Sequence, residues 1–179
     1  MHDMDRNACL LGFMGTGKTS VGKVLANTLD MEFIETDDLI VKKAGKSIPA
    51  IFKDDGEIRF RELEIAVCKE LQDVRRSVIS LGGGVMLNYI NFLYLRQHSD
   101  FFHLIASPST ILARIMQDGK DKRPLLACPD PLAEINRLLY LRKPFYKIAG
   151  AREILTDDRL IPSIAGEIAT IMKGHEGCE

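Results

Sequence analysis

Short apolar runs alternate along the chain with longer stretches in which apolar residues recur every three or four positions. Ala8-Cys9-Leu10-Leu11 is the first short run, and it stops at Gly12. From Lys18 the pattern turns helical, with Val21, Val24, Leu25 and Leu29 on one face. Glu32-Phe33-Ile34-Glu35 predicts a second strand, Val78-Ile79-Ser80-Leu81 a third, Phe101–Ile105 a fourth and Arg152–Leu155 a fifth. Helices are expected at about 37–44, 48–54, 57–74, 88–97, 108–117, 130–147 and 162–173. Short strands separated throughout by helices predict an α/β protein: three α/β/α layers around a five-stranded parallel sheet. Gly119 to Pro131 has no period and holds three prolines, so it reads as a loop within one domain, residues 1–179, and not as a linker.

Composition narrows the class. The chain has 179 residues, of which 46% are hydrophobic and 27% charged, as in an ordinary soluble globular domain. The net charge of −1 argues against a general nucleic-acid binder, though not against a local basic pocket for a small anion. Cys9, Cys68, Cys128 and Cys178 stand too far apart for a C-x-x-C pair, so reduced thiols in a cytoplasmic protein are expected. No apolar run approaches the ~18 residues of a membrane span. The leading residues carry two acids, unlike the basic start of a signal peptide. His2, His98, His103 and His175 are scattered and suggest no metal or catalytic group.

The strongest chemical signal is Gly12-Phe13-Met14-Gly15-Thr16-Gly17-Lys18-Thr19, followed by Ser20. It fits G-x-x-x-x-G-K-[ST] between an apolar strand and an amphipathic helix. Glycines let main-chain N–H groups curl around phosphate oxygens, and the helix adds the positive end of its dipole. Lys18 supplies a charge for the β- and γ-phosphates, and the Thr19 hydroxyl is placed to ligate Mg²⁺. A guanine-reading Asn-Lys-x-Asp is missing, as is an apolar strand ending in Asp-Glu. A small-molecule kinase with a closing lid is the class that remains.

Other groups are ambiguous on spacing alone. Asp37 follows the second strand, where a carboxylate can hold an acceptor hydroxyl and take its proton. One of Thr36, Asp37 and Asp38 could equally cap the helix that begins there. Arg59, Arg61, Glu62 and Glu64 either serve a ligand or form a solvated helix face. Gly82-Gly83-Gly84 at a strand end admits a close backbone approach, or is a flexible turn. Lys120-Asp121-Lys122-Arg123-Pro124 is a solvated loop, or a basic lid that brings Arg123 onto a transferring phosphate. Arg142 could serve a ligand or a helix C-terminal dipole.

The ordered set resembles the shikimate kinases. It comprises the phosphate loop, Thr36-Asp37, Ser47-Ile48 with Ile51-Phe52, and Gly56-Glu57 with Phe60-Arg61 and Glu64. Gly82-Gly83-Gly84, Arg123-Pro124-Leu125-Leu126, Arg142 and Tyr146 complete it. The resemblance implies a P-loop fold of the nucleoside monophosphate kinase type, with a substrate-binding insert at about 37–64 and a lid at about 116–128. It implies transfer of the ATP γ-phosphate to the 3-hydroxyl of shikimate, with Mg²⁺, on the way to chorismate and the aromatic amino acids, by a monomer. It assigns Asp37, Lys18 and Arg123 to catalysis. Gly12, Met14, Gly15, Thr16, Gly17, Lys18, Thr19, Ser20, Arg114, Arg123 and Arg159 would bind nucleotide, with Arg114 stacked on adenine. Asp37, Arg61, Gly82, Gly83, Gly84, Arg142, Phe52 and Phe60 would bind shikimate. Thr19 and Glu35 would hold the metal, with Ser80 in its water shell. The family usually has Asp where Glu35 stands, one methylene shorter. Gluconate kinase or a nucleoside monophosphate kinase is the nearest enzymatic rival, and a silent nucleotide-binding regulator the rival from another class.

Overall fold

The computed structural model describes residues 5–118 and 129–174. Five strands, β1 (Asn7–Leu11), β2 (Glu32–Glu35), β3 (Ser77–Ser80), β4 (Ser99–Ile105) and β5 (Arg152–Leu155), form one sheet in the order β2-β3-β1-β4-β5. Every pairing is parallel, with Cys9 of β1 opposite Ile79 of β3 and Phe101 of β4. All of β1 is buried, because a parallel sheet is covered on both faces.

Helix α1 (Lys18–Leu29) follows β1; α2 (Thr36–Ala44), α3 (Ile48–Asp54) and α4 (Gly56–Glu70) stand between β2 and β3. Then come α5 (Tyr89–Leu95), α6 (Pro108–Asp118), α7 (Pro131–Ile148) and α8 (Ile161–Gly174). One face of the sheet packs Leu10, Val78 and Phe102 against Val21 and Leu25 of α1 and Ile164 and Ile168 of α8. The other packs Cys9, Leu11 and Ile79 against Leu63 and Val67 of α4, Leu95 of α5 and Tyr146 of α7. A smaller cluster of Phe13, Ile111, Ile115, Ile135 and Leu138 joins α6 to α7 beside the first strand's loop. The three-layer α/β/α reading therefore holds, and Cys9 and Cys68 are free and buried.

One boundary moves. The helix expected to run to about residue 74 ends at Glu70. The Asn7 side chain explains the stop: its Nδ2 donates to Val74 O at 2.8 Å, and its Oδ1 accepts from Ser77 N at 3.0 Å. Those bonds hold the chain for β3 and compete with further helix. Strand C-terminal ends in such a sheet open onto the ligand crevice. Here they deliver the Gly12 loop from β1, Glu35 from β2 and Gly82 from β3 to one rim. Arg123, most of the expected lid at 116–128, Cys128, Cys178, His2 and His175 lie outside the described residues.

Candidate active site

The loop after β1 is shaped by backbone angles that only glycine adopts cheaply. Gly12, Gly15 and Gly17 have φ of 144°, 75° and 93°. A Cβ on Gly12 would also stand 2.5 Å from the Leu104 carbonyl oxygen. Gly17 leads into α1 with no side-chain cap and no acid in the first turn, so the helix N-terminus is left for an anion. Lys18 Nζ donates to the Gly12 and Phe13 carbonyls, each at 2.9 Å. Thr16 Oγ1 donates to Phe13 O at 2.8 Å and tightens the same turn. Thr19 Oγ1 donates to Glu35 Oε1 at 2.5 Å, joining the loop to the end of β2.

A cavity of about 720 Å³ runs along this rim. Met14, Gly15, Thr16, Gly17, Lys18, Thr19 and Ser20 line it, together with Glu35, Asp37, Gly82 and Gly83 and with Arg114, Thr156, Arg159 and Pro162. Arg114 bridges two walls: Nη1 reaches Gly15 O at 3.2 Å and Thr156 Oγ1 at 3.0 Å, and Nη2 reaches Thr156 O at 2.7 Å. These bonds use the guanidinium edge. Arg159 pairs with Glu167 at 2.7 Å and donates to Leu155 O. Asp157, which sequence reasoning missed, accepts Ser107 N with both carboxylate oxygens and fixes the start of α6.

At the acceptor end the capping alternative fails. The N-cap of α2 is Glu35, without a side-chain cap bond, and Thr36 is already helical. Buried Thr36 instead ties two strand ends, donating to Ser80 O at 3.3 Å and accepting from Gly82 N at 2.9 Å. Asp37 is turned toward the glycines: a Cβ on Gly82 would come within 2.5 Å of its Oδ1. Ser80 itself is buried at the end of β3.

The group read as one helix face on α4 divides. Arg59 and Glu62 pair at 2.9 Å in solvent, as a solvated face should. Arg61 pairs with Glu57 at 2.9 Å and with buried Glu64 at 2.6 Å. Glu64 is 1% exposed, and burial pushes its carboxyl above the ordinary range against the opposing pull of Arg61. The Asp37 charge pushes it the same way, and Arg142 pulls it down, so the four groups share one neighbourhood. A Cβ on Gly84 would run into the Arg61 guanidinium. Arg142 does not serve the C-terminal dipole: it lies inside α7, 7% exposed, six residues before Ile148. Its Nη1 donates to Gly83 O at 3.1 Å, and its Cζ lies 5.1 Å from the centre of the Phe13 ring. The Phe60 ring stands 4.6 Å from that of exposed Phe52 and 5.3 Å from Arg61 Cζ.

The sequence alone left Glu64 and Tyr146 without a role. The signal for Glu64 was its place three residues after Arg61, on the face that carries Phe60, Leu63 and Val67. No three His, Cys, Asp or Glu side chains cluster as a metal site among the described residues. The Thr19 hydroxyl and Glu35 carboxylate are hard oxygen donors beside the phosphate loop, which suits Mg²⁺, a cation that takes few protein ligands and otherwise water and phosphate.

Comparison with known proteins bears on this geometry. The family model described as shikimate kinase matches residues 14–173. The shikimate kinase of Caldicellulosiruptor bescii is 43% identical over 162 residues, covering 90% of this chain and 92% of its own. The solved shikimate kinase from Acinetobacter baumannii in complex with shikimate superposes with a TM-score of 0.91 at 32% identity, covering 98% of this chain and 97% of the other. A gluconokinase from Sinorhizobium meliloti shares the fold alone, with a TM-score of 0.60 at 18% identity over 98% of each chain.

Proposed function

The chain belongs to the shikimate kinase family, and on that premise we propose that it transfers the γ-phosphoryl group of ATP to the 3-hydroxyl of shikimate. The products are shikimate 3-phosphate and ADP, within aromatic amino acid biosynthesis. The observation that carries this reading is the shared cavity: the phosphate loop and Asp37, Gly82 and Gly83 line a single space. A donor and an acceptor can therefore meet without crossing solvent.

The chemistry asks for positioning and charge. Lys18 would exchange its two carbonyl partners for phosphate oxygens, as the helix N-terminus receives the same anion. Asp37 would accept the hydroxyl proton while the new O–P bond forms and the bond to the ADP oxygen breaks. Arg61 and Arg142 would take the substrate carboxylate, a planar fork on a planar group. Their orientation is set beforehand by Glu57, Glu64, Gly83 O and the Phe13 ring. Phe52 and Phe60 would wall the ring. Arg114, with Arg159, would take the base, and Arg123 would meet the transferring phosphate. Mg²⁺ held by Thr19 and Glu35, with Ser80 near its water shell, would neutralise phosphate charge.

In this reading the chain is one kinase unit, with the acceptor insert at about 37–64. It acts as a monomer in the cytoplasm. No described helix is long and apolar enough to cross a membrane. ADP release with ATP and Mg²⁺, against shikimate, gluconate, AMP, CMP and no acceptor, tests the reading. Turnover with shikimate alone is expected. Turnover only with another acceptor would overturn it.

A further inference from the structure

Tyr146 lies one helical turn beyond Arg142 on α7, so both side chains reach the same side of the helix. They converge on one atom. Tyr146 Oη donates to Gly83 O at 3.0 Å, and Arg142 Nη1 donates to it at 3.1 Å. That carbonyl has two acceptor sites, and both are used. The peptide that follows is trans and planar, so a fixed Gly83 carbonyl also fixes the Gly84 N–H, on the opposite side of the same plane. The Gly83 and Gly84 N–H groups have no acceptor among the described residues, and Gly83 lines the cavity.

Three successive glycines carry no side chains to hold them, so their order must come from outside. Gly82 is held through its N–H by Thr36. Gly83 is held through its carbonyl by Arg142 and Tyr146 alone among the described residues. Arg142 has a second duty, because it is the cation this reading assigns to the substrate carboxylate. The phenol has none. Its ring is buried and packs on His103, with centroids 4.6 Å apart.

We propose that Tyr146 is a positioning residue for the acceptor, whose hydroxyl holds the Gly83–Gly84 peptide in place when Arg142 turns to the substrate carboxylate. The proposal rests on the assignment of shikimate as acceptor. Burial raises the phenol above its ordinary range, with Arg142 opposing, so Tyr146 stays a donor at neutral pH.

Tyr146→Phe removes the donor and keeps the ring. Gly83 O keeps Arg142, so the variant is expected to fold with a Tm close to that of the wild type. Two measurements decide. In steady-state kinetics the KM for shikimate should rise about three- to tenfold, the worth of one hydrogen bond, while the KM for ATP stays put. In substrate-free protein that also carries Arg142→Ala, where the phenol is the remaining anchor of the Gly83 carbonyl among the described residues, backbone NMR order parameters at Gly83 and Gly84 should fall on adding Tyr146→Phe. A merely structural tyrosine would lower Tm and active fraction and leave both KM values alone. Unchanged KM for shikimate, or unchanged order parameters at both glycines, overturns the proposal. If the wild type fails to use shikimate, the substrate assignment falls, and the order-parameter measurement still decides whether Tyr146 holds the glycines.

Discussion

The phosphate end and the acceptor end of the site use different materials. At the phosphate end the ligand-facing groups are main-chain amides, bent into place by Gly12, Gly15 and Gly17 at positive φ within one short run of sequence. Even Lys18 is parked on carbonyls of that run. At the acceptor end side chains join the glycine backbone: Asp37 from α2, Arg61 from α4 with buried Glu64 beneath it, and Arg142 from α7. They are held by one another and by the glycines after β3. A local backbone shape tolerates change elsewhere in the chain. A set of mutually paired charges fails whenever one member leaves.

The largest expected effect is at the group with no substitute. Asp37→Asn should lower kcat by about 10²–10⁴, the range for losing a positioned general base. Calorimetry should still find both substrates bound. Near-normal kcat would remove Asp37 from the reaction.

Arg61→Ala comes next, and it separates the ends most directly. Without this charged fork to grip the acceptor, the KM for shikimate should rise by about tenfold or more while the KM for ATP stays the same. The substitution should also destabilise the fold by about 1–3 kcal/mol, since buried Glu64 loses its ion partner. The sign of the pH dependence follows from Glu64. Its carboxyl already sits above its unfolded value, and Arg61 is the largest influence pulling it down. Without Arg61 it rises further. The neutral acid is then the form the fold prefers, so stability is kept at low pH and lost as pH climbs through the raised value. A variant whose Tm falls equally at all pH would contradict this account.

Two alanines sharpen the contrast at smaller cost. A Cβ on Gly17 meets nothing closer than Val21 at 3.9 Å, so Gly17→Ala acts through its left-handed backbone, a strain of about 1–2 kcal/mol. It should raise the KM for ATP. Gly82 has no positive φ, and its Cβ would strike Asp37 Oδ1. Gly82→Ala should therefore lower kcat and spare ATP binding. The reverse pattern in steady-state kinetics would mean the two glycine runs do the same job.

This difference in material also decides how much the sequence reveals. The strands, the sheet and the phosphate loop were legible because each depends on neighbours in sequence: apolar periodicity, or glycines at fixed spacing before a helix. The stop of α4 at Glu70 was not, because it depends on Asn7, a residue from another strand. The split between Arg59 and Arg61 was equally hidden. Both are arginines two positions apart on one helix, and only packing puts Glu64 beneath the second. Asp37 looked as much like a cap as a base until Glu35 took the cap position. Resemblance to a family bridged these gaps by naming residues, without explaining what holds them.

The smallest expected effect lies at the seam between the two ends. His103 on β4 packs on Tyr146 of α7, senses Lys18 of the phosphate loop, and faces Glu153 of β5. Burial pushes its pKa from 6.5 down to about 4, Lys18 pushes it the same way, and Glu153 opposes them. The unfolded chain therefore binds a proton at His103 before the folded one does. Its contribution to stability is complete above the unfolded value of 6.5 and is lost as pH falls toward about 4. His103→Phe keeps a ring against Tyr146 and cannot take up that proton. The variant should match the wild type near pH 7 to within about 1 kcal/mol and lose less Tm between pH 6.5 and 4. Phosphate brought to Lys18 reverses the local field and favours the charged imidazole. Bound ADP should thus flatten the wild-type slope and leave the variant's unchanged. Equal slopes in both proteins, with and without ADP, would show that His103 does not sense the phosphate loop.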